Sequence, residues 1–130
     1  MKILLDTQCW LWMQTAPERF SSHALGLVRD LESELFLSAA SAWEIAIKFA
    51  LGKLPLPLPP AQYVPTRMAS SGVHGLPVTH VHALHVATLP LHHRDPFDRL
   101  LVAQAQLEGF PIMTADEQLA AYDVLVHWAT

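Results

Sequence analysis

At 130 residues the chain has the length of one compact domain, and its 52 % apolar content is enough for a buried core and too much for a disordered segment. A formal net charge of −4 excludes the basic surface of a strong, non-specific nucleic-acid binder, while it would attract a basic peptide. The single cysteine, Cys9, excludes an internal disulfide and a thiolate zinc cage; it reads as a small core residue.

The start, Met1 to Asp6, carries one Lys and meets an acid after a short apolar run, so it does not read as a signal peptide. The longest apolar runs, Ile3 to Leu5 and Leu100 to Ala103, are far too short for a bilayer, and a cytoplasmic protein is expected. Lys2 to Leu5 predicts a buried strand ending at Asp6-Thr7, and Thr7 to Met13 a helix capped by Asp6 or Thr7. Pro17 breaks that segment. Ala24, Leu27, Val28 and Leu31 then predict a helix over His23 to Ser33.

Leu35 to Leu37 predicts a second strand, followed by a helix capped by Ser38 or Ser41 and closed after Ala50 by Gly52. The prolines of Lys53 to Pro60 forbid regular structure; lying inside the domain, this run reads as an extended connector in preference to a polyproline ligand. Further on, the pattern predicts a helix over Ala61 to Ser70, a third strand over Gly75 to Thr79 and a short helix over His80 to Ala87. Asp95-Pro96 opens a long helix to Glu108, ended by Gly109. Strands at Pro111 to Met113 and Val124 to Val126 enclose another short helix after Asp116. Alternating strands and helices predict a parallel sheet covered on both faces.

Five acids stand out. Asp6 and Asp116 follow strands, where open parallel sheets bind ligands, and they converge only if those strands are neighbours. Glu44 is flanked by Trp43 and Ile45 in an apolar helix, where a lone carboxylate is costly. Asp98 lies in the first turn of the long helix, with Asp95 three positions earlier on nearly the same face. Such a cluster suits Mg²⁺ or Mn²⁺ and metal-assisted phosphodiester hydrolysis; without cations at least one acid should take up a proton. Each acid also has a structural role open to it. Capping alone accounts for Asp95, dipole and cap roles stand beside function at Asp98 and Asp116, and Asp6 and Glu44 lean to function. His80, His82, His85, His92 and His93 read as structural, with His92, His93 and Arg94 also placed to meet RNA phosphate. The four tryptophans are scattered and read as core or interface.

Four stretches, Leu4-Leu5-Asp6-Thr7, Ser41 to Lys48 (SAWEIAIK), Asp95 to Leu101 (DPFDRLL) and Thr114-Ala115-Asp116, together resemble the PIN-domain family, and within it the VapC-type toxins of bacterial toxin–antitoxin pairs. The resemblance covers essentially the whole chain and implies a single PIN-like domain over 1–130. Its expected fold is an α/β, three-layer α/β/α sandwich with a four- or five-stranded parallel sheet. It implies a Mg²⁺- or Mn²⁺-dependent endoribonuclease acting on tRNA or rRNA, a homodimer, and a VapB-like antitoxin that pushes a basic side chain into the acidic pocket. Carried over, Asp6, Glu44, Asp98 and Asp116 match the family's acids, the first, third and fourth as metal ligands. Thr7 and Thr114 match supporting hydroxyls, Asp95 an extra acid, and Arg99 a residue that orients the third acid or meets phosphate. Gln8-Cys9 departs from the family's pattern without removing an acid.

Two rival classes stand beside the nuclease: a catalytically weak PIN-like binding module acting through a protein partner, and a phosphate-transfer enzyme or receiver domain, which also clusters acids on a parallel sheet. The receiver would place a Lys at the end of a late strand, where this chain has Thr114.

Overall fold

In the computed structural model, which describes residues 1–130, five strands form one parallel sheet: β1 (Lys2–Leu5), β2 (Glu34–Ser38), β3 (His74–Leu76), β4 (Ile112–Thr114) and β5 (Val126–Trp128). Their spatial order is β3-β2-β1-β4-β5, so the chain winds outward from β1 in one direction and returns to build β4 and β5 on the other side. The central strand pairs Leu5 with Leu37 of β2 and with Met113 of β4. The junction of β1 and β4 is thus where the winding reverses. Beyond the carboxyl ends of these two strands the loops part and leave a crevice.

Helices cover both faces. They are α1 (Thr7–Thr15), α2 (Ser22–Arg29), α3 (Ala39–Ala50), α4 (Pro60–Ser71), α5 (His80–His85) and α6 (Pro96–Glu108). Alternation along β1 divides the core in two. Ile3 and Leu5 pack with Trp10, Ile45, Tyr63 and Val64, so α1, α3 and α4 lie on that face. Leu4 points the other way, into Leu101, Val102, Ala105 and Leu119, the layer made by α6 and the turn after β4. The expected three-layer α/β/α sandwich is therefore present, with five strands. No helix is long and apolar enough to cross a membrane.

Local chemistry sets most boundaries. Asp6 Oδ1 caps α1 by accepting from Cys9 N at 2.7 Å, and Ser38 Oγ caps α3 by accepting from Ala40 N. Gly52, past the end of α3, and Gly109, at the end of α6, adopt φ of 71° and 73°, a left-handed turn that a side chain resists. Three expectations are corrected. The second helix stops at Arg29 instead of Ser33, because Asp30 Oδ1 accepts from Glu32 N and turns the chain. The third strand is His74–Leu76, since Pro77 has no N–H to continue the ladder. The last strand starts at Val126, the residue that pairs with Ile112. The segment Lys53 to Pro59 is irregular, as its prolines require.

Leu101, fully buried beneath the sheet, tests this packing. Leu101→Ala should cost about 2–5 kcal/mol of unfolding free energy, read as a lower urea midpoint with an unchanged slope.

Candidate active site

Asp6 is the residue directly after β1, so it emerges at the crevice. Its two oxygens are separately engaged: Oδ1 with Cys9 N, and Oδ2 with the hydroxyl of Thr114, which donates at 2.6 Å. Thr114 ends β4 and also accepts from Asp116 N at 3.0 Å. One hydroxyl thereby aligns the two acids that leave adjacent strands. Burial pushes the Asp6 carboxyl above its ordinary value; the bonds from Thr114 and Cys9 oppose that rise without cancelling it, and the Asp116 charge adds to it.

Glu44 reaches the same crevice from α3. It is almost completely buried and has two partners: Thr7 Oγ1 donates to Oε1 at 2.7 Å, and Lys48 Nζ lies 2.6 Å from Oε2. Thr7 in turn contacts Ser41 Oγ at 2.9 Å, which ties α1 to α3. The ammonium sits one helical turn along on the half-exposed side, so it compensates the buried charge without being buried itself. The bond to Glu44 raises the Lys48 pKa, with a further contribution from the Asp95 and Asp98 charges.

Asp98 enters from the first turn of α6. Asp95 caps that helix, its Oδ1 accepting from Phe97 N at 2.8 Å and Asp98 N at 3.3 Å. The capping role read from the sequence is thus real, and it places a second acid beside Asp98. Burial first, then the charges of Asp95, Asp6 and Glu44, push the Asp98 carboxyl up to about 7, with His93 pulling the other way.

Asp6, Glu44, Asp95, Asp98 and Asp116 all line one cleft of about 480 Å³, together with Thr7, Gln8, Lys48 and Lys53. Two expectations need correction. Arg99 makes no hydrogen bond to Asp98 and does not line the cleft. Adjacent helix positions diverge, and its Nη2 donates instead to the carbonyls of Leu89 and Val86, at 3.2 and 3.4 Å, pinning the segment before α6. His93, read as structural, belongs to the cluster: its Nε2 lies 2.7 Å from Asp116 Oδ2 and 3.2 Å from Asp98 Oδ2. From the sequence His93 reads as structural or near RNA phosphate, without being joined to the acids; its place in the cap loop, two residues before Asp95, is the signal for that link. Three other histidines keep structural roles. His82 and His85 bind Glu108 and Gln106 and hold α5 to α6, while His92 packs against the Tyr122 ring. The donor set is otherwise oxygen; burial raises the Cys9 thiol far out of the range in which it would ionise.

The PIN domain family model matches residues 3–125, and the chain belongs to that family. Ribonuclease VapC16 of Mycobacterium tuberculosis (strain ATCC 25618 / H37Rv) is 54 % identical over 59 residues. That match takes in 45 % of this chain and 42 % of the relative, less than half of its length. VapBC2 from Rickettsia felis, solved bound to a DNA fragment from its promoter, superposes with a TM-score of 0.74 at 10 % identity over the full length of both chains. DNA-bound VapBC from Salmonella typhimurium gives 0.66 at 14 % identity over 100 % of this chain and 99 % of that one. These likenesses establish the fold.

The folded state holds a proton on Asp98 up to about pH 7, whereas an unfolded Asp releases it near 3.8. Over that window the folded state binds more protons, so the cation-free protein should lose stability as pH rises from about 4 to 7. Asp6 acts in the same direction. Asp98→Asn should flatten this slope and raise stability at pH 7.5 by on the order of 1–3 kcal/mol. Thermal melts across this pH range in EDTA read both effects.

Proposed function

We propose that residues 1–130 act as one PIN-like unit, a divalent-metal-dependent endoribonuclease working as the toxin of a VapBC-type pair. The observation that carries the reading is the convergence of five carboxylates from four elements of structure on one cleft, with Asp98 held protonated near neutrality. Such a cup stays fully ionised only with a cation in it. Its carboxylate oxygens suit Mg²⁺ or Mn²⁺, and no ionisable thiolate competes. Family membership and the Mycobacterium tuberculosis relative support the nuclease assignment. An RNA of the tRNA or rRNA class is the proposed substrate, a VapB-like antitoxin the proposed partner, a homodimer the proposed assembly and the cytoplasm the proposed location.

Asp6, Asp98 and Asp116 would hold the metal, which when bound supplies a Lewis acid and lowers the pKa of water. The chain's own groups divide the remaining work. Thr114 fixes the Asp6 rotamer, and Asp95 crowds Asp98 with negative charge. Glu44, fixed by Thr7 and Lys48, is the group to accept a proton from the attacking water. The Lys48 ammonium, exposed at the cleft edge, can pair with a backbone phosphate as Glu44 becomes neutral. Gln8 lines the cleft and is placed to contact substrate.

Purified protein should cut RNA with Mg²⁺ or Mn²⁺ and not with EDTA. Asp6→Asn and Asp98→Asn should each lower the rate by at least roughly 100-fold. Equal cleavage by all three proteins would refute the assignment. Millimolar metal should also raise the melting temperature of the native chain, since it binds only the folded cluster.

A further inference from the structure

His93 is the one imidazole among the clustered acids, and its geometry decides what it does there. Its Nε2 sits between Asp116 Oδ2 and Asp98 Oδ2, and these three atoms are close enough to share an ion. The far side of the ring argues against a ligand. Nδ1 lies 3.0 Å from the backbone N of Asp95, an N–H that can only donate, so Nδ1 is the acceptor and carries no proton. A neutral imidazole then has its proton on Nε2, pointed at the two carboxylates. A metal-bound histidine needs the reverse: a lone pair on Nε2, and a proton on Nδ1 that finds an acceptor. Here that proton would meet the Asp95 N–H.

The ring is held in this orientation from outside. Backbone N–H groups of His92 and His93 both donate to the hydroxyl of Tyr122, at 3.2 and 2.9 Å. Tyr122 is buried and closes the 3₁₀ turn that Asp116 opens. The loop before α6 is therefore fastened to the segment after β4 twice, by Tyr122 at its backbone and by His93 at its side chain. Asp116 is the more exposed of the two acids that His93 joins, and it comes from a different element than Asp98.

We propose that His93 is a positioning residue: as a fixed Nε2–H donor it joins Asp98 to Asp116 and fixes the separation of these two acids, without itself ligating the cation they would hold. This rests on the metal-dependent reading given above. Loss of the donor leaves Asp116 held by one oxygen only, Oδ1, which accepts from Gln118 N at 2.9 Å, and leaves Asp98 uncompensated. The effect falls on metal affinity before it falls on any chemical step.

Mn²⁺ titration of the full chain tests this, followed by calorimetry and by pulsed electron paramagnetic resonance. His93→Ala should bind Mn²⁺ about 10- to 100-fold more weakly, the range usual for a residue that orients ligands. His93→Gln, whose amide N–H can replace one of the two bonds, should lie closer to the parent. Mn²⁺ on the parent protein should show no directly bound ¹⁴N coupling that disappears in His93→Ala. Tyr122→Phe, which removes only the hydroxyl, should weaken Mn²⁺ in the same direction and stands in for His93→Ala if that variant does not fold. A strong ¹⁴N coupling lost in His93→Ala would overturn the proposal, because it makes His93 a ligand. So would unchanged Mn²⁺ affinity in folded His93→Ala. A parent protein that binds no Mn²⁺ at all would remove the metal reading, and this inference with it, which sets that failure apart from the other two.

Discussion

The hydroxyl of Thr114 donates to Asp6 at 2.6 Å across a sequence separation of 108 residues, and the crevice takes its chemistry from that bond. It forms only because β1 and β4 are parallel neighbours, so that both chains leave the sheet at the same end. The same oxygen receives the Asp116 N–H, which aims the next acid into the same space. A β-branched residue at this strand end is stiff at χ1, and Thr114 is fully buried, so its hydroxyl has few other places to go. The sheet topology thus does more than bring acids near one another. It delivers them with their oxygens already oriented.

Bringing acids together has an electrostatic cost, and the fold distributes its compensation unevenly. Glu44 has a lysine of its own and a hydroxyl. Asp6 has a helix N-terminus and a hydroxyl. Asp98 has neither a full cation nor a hydroxyl; His93 offers it a 3.2 Å contact shared with Asp116, and three other acids act on it. Its carboxyl accordingly rises, to about 7. The start of α6 is therefore a place in the cup where negative charge has no cation of its own beside it.

Much of this was legible in the sequence because short-range chemistry carried it. Asp95-Pro96 marks a helix start, Asp98 follows within its first turn, and the apolar run before Asp6 marks a buried strand. Glu44 declared itself by its neighbours, since a carboxylate amid Trp43, Ile45 and Ala46 needs a partner. What escaped were features that depend on the path of a loop or on tertiary partners. The positions of β3 and β5 follow from Pro77 and from the register of β4, not from local apolar content. Arg99 looked like an aid to Asp98 by adjacency, yet helical geometry turned it toward the Leu89 and Val86 carbonyls. His93 looked like one of a scattered set of histidines. Hydrogen bonds to Tyr122, 29 residues further along, and from Asp95 N to its Nδ1 hold it at the acids.

The chain's net charge of −4 and its proposed polyanionic substrate look opposed, and the cleft resolves the conflict locally. Lys48 and Lys53 line the same opening as the acids, and Lys48 stays half exposed while paired to Glu44. A phosphate approaching that side meets an ammonium first, whereas the carboxylates lie deeper, Asp6 and Glu44 almost wholly buried. Repulsion between the cup and a phosphodiester is then short-ranged, and a divalent cation in the cup would offset much of it. A basic side chain offered by a protein partner would satisfy the same carboxylates without supplying any chemistry. Under the proposed function, one charge distribution would serve both an active and an inhibited state, the occupant of the cup deciding between them.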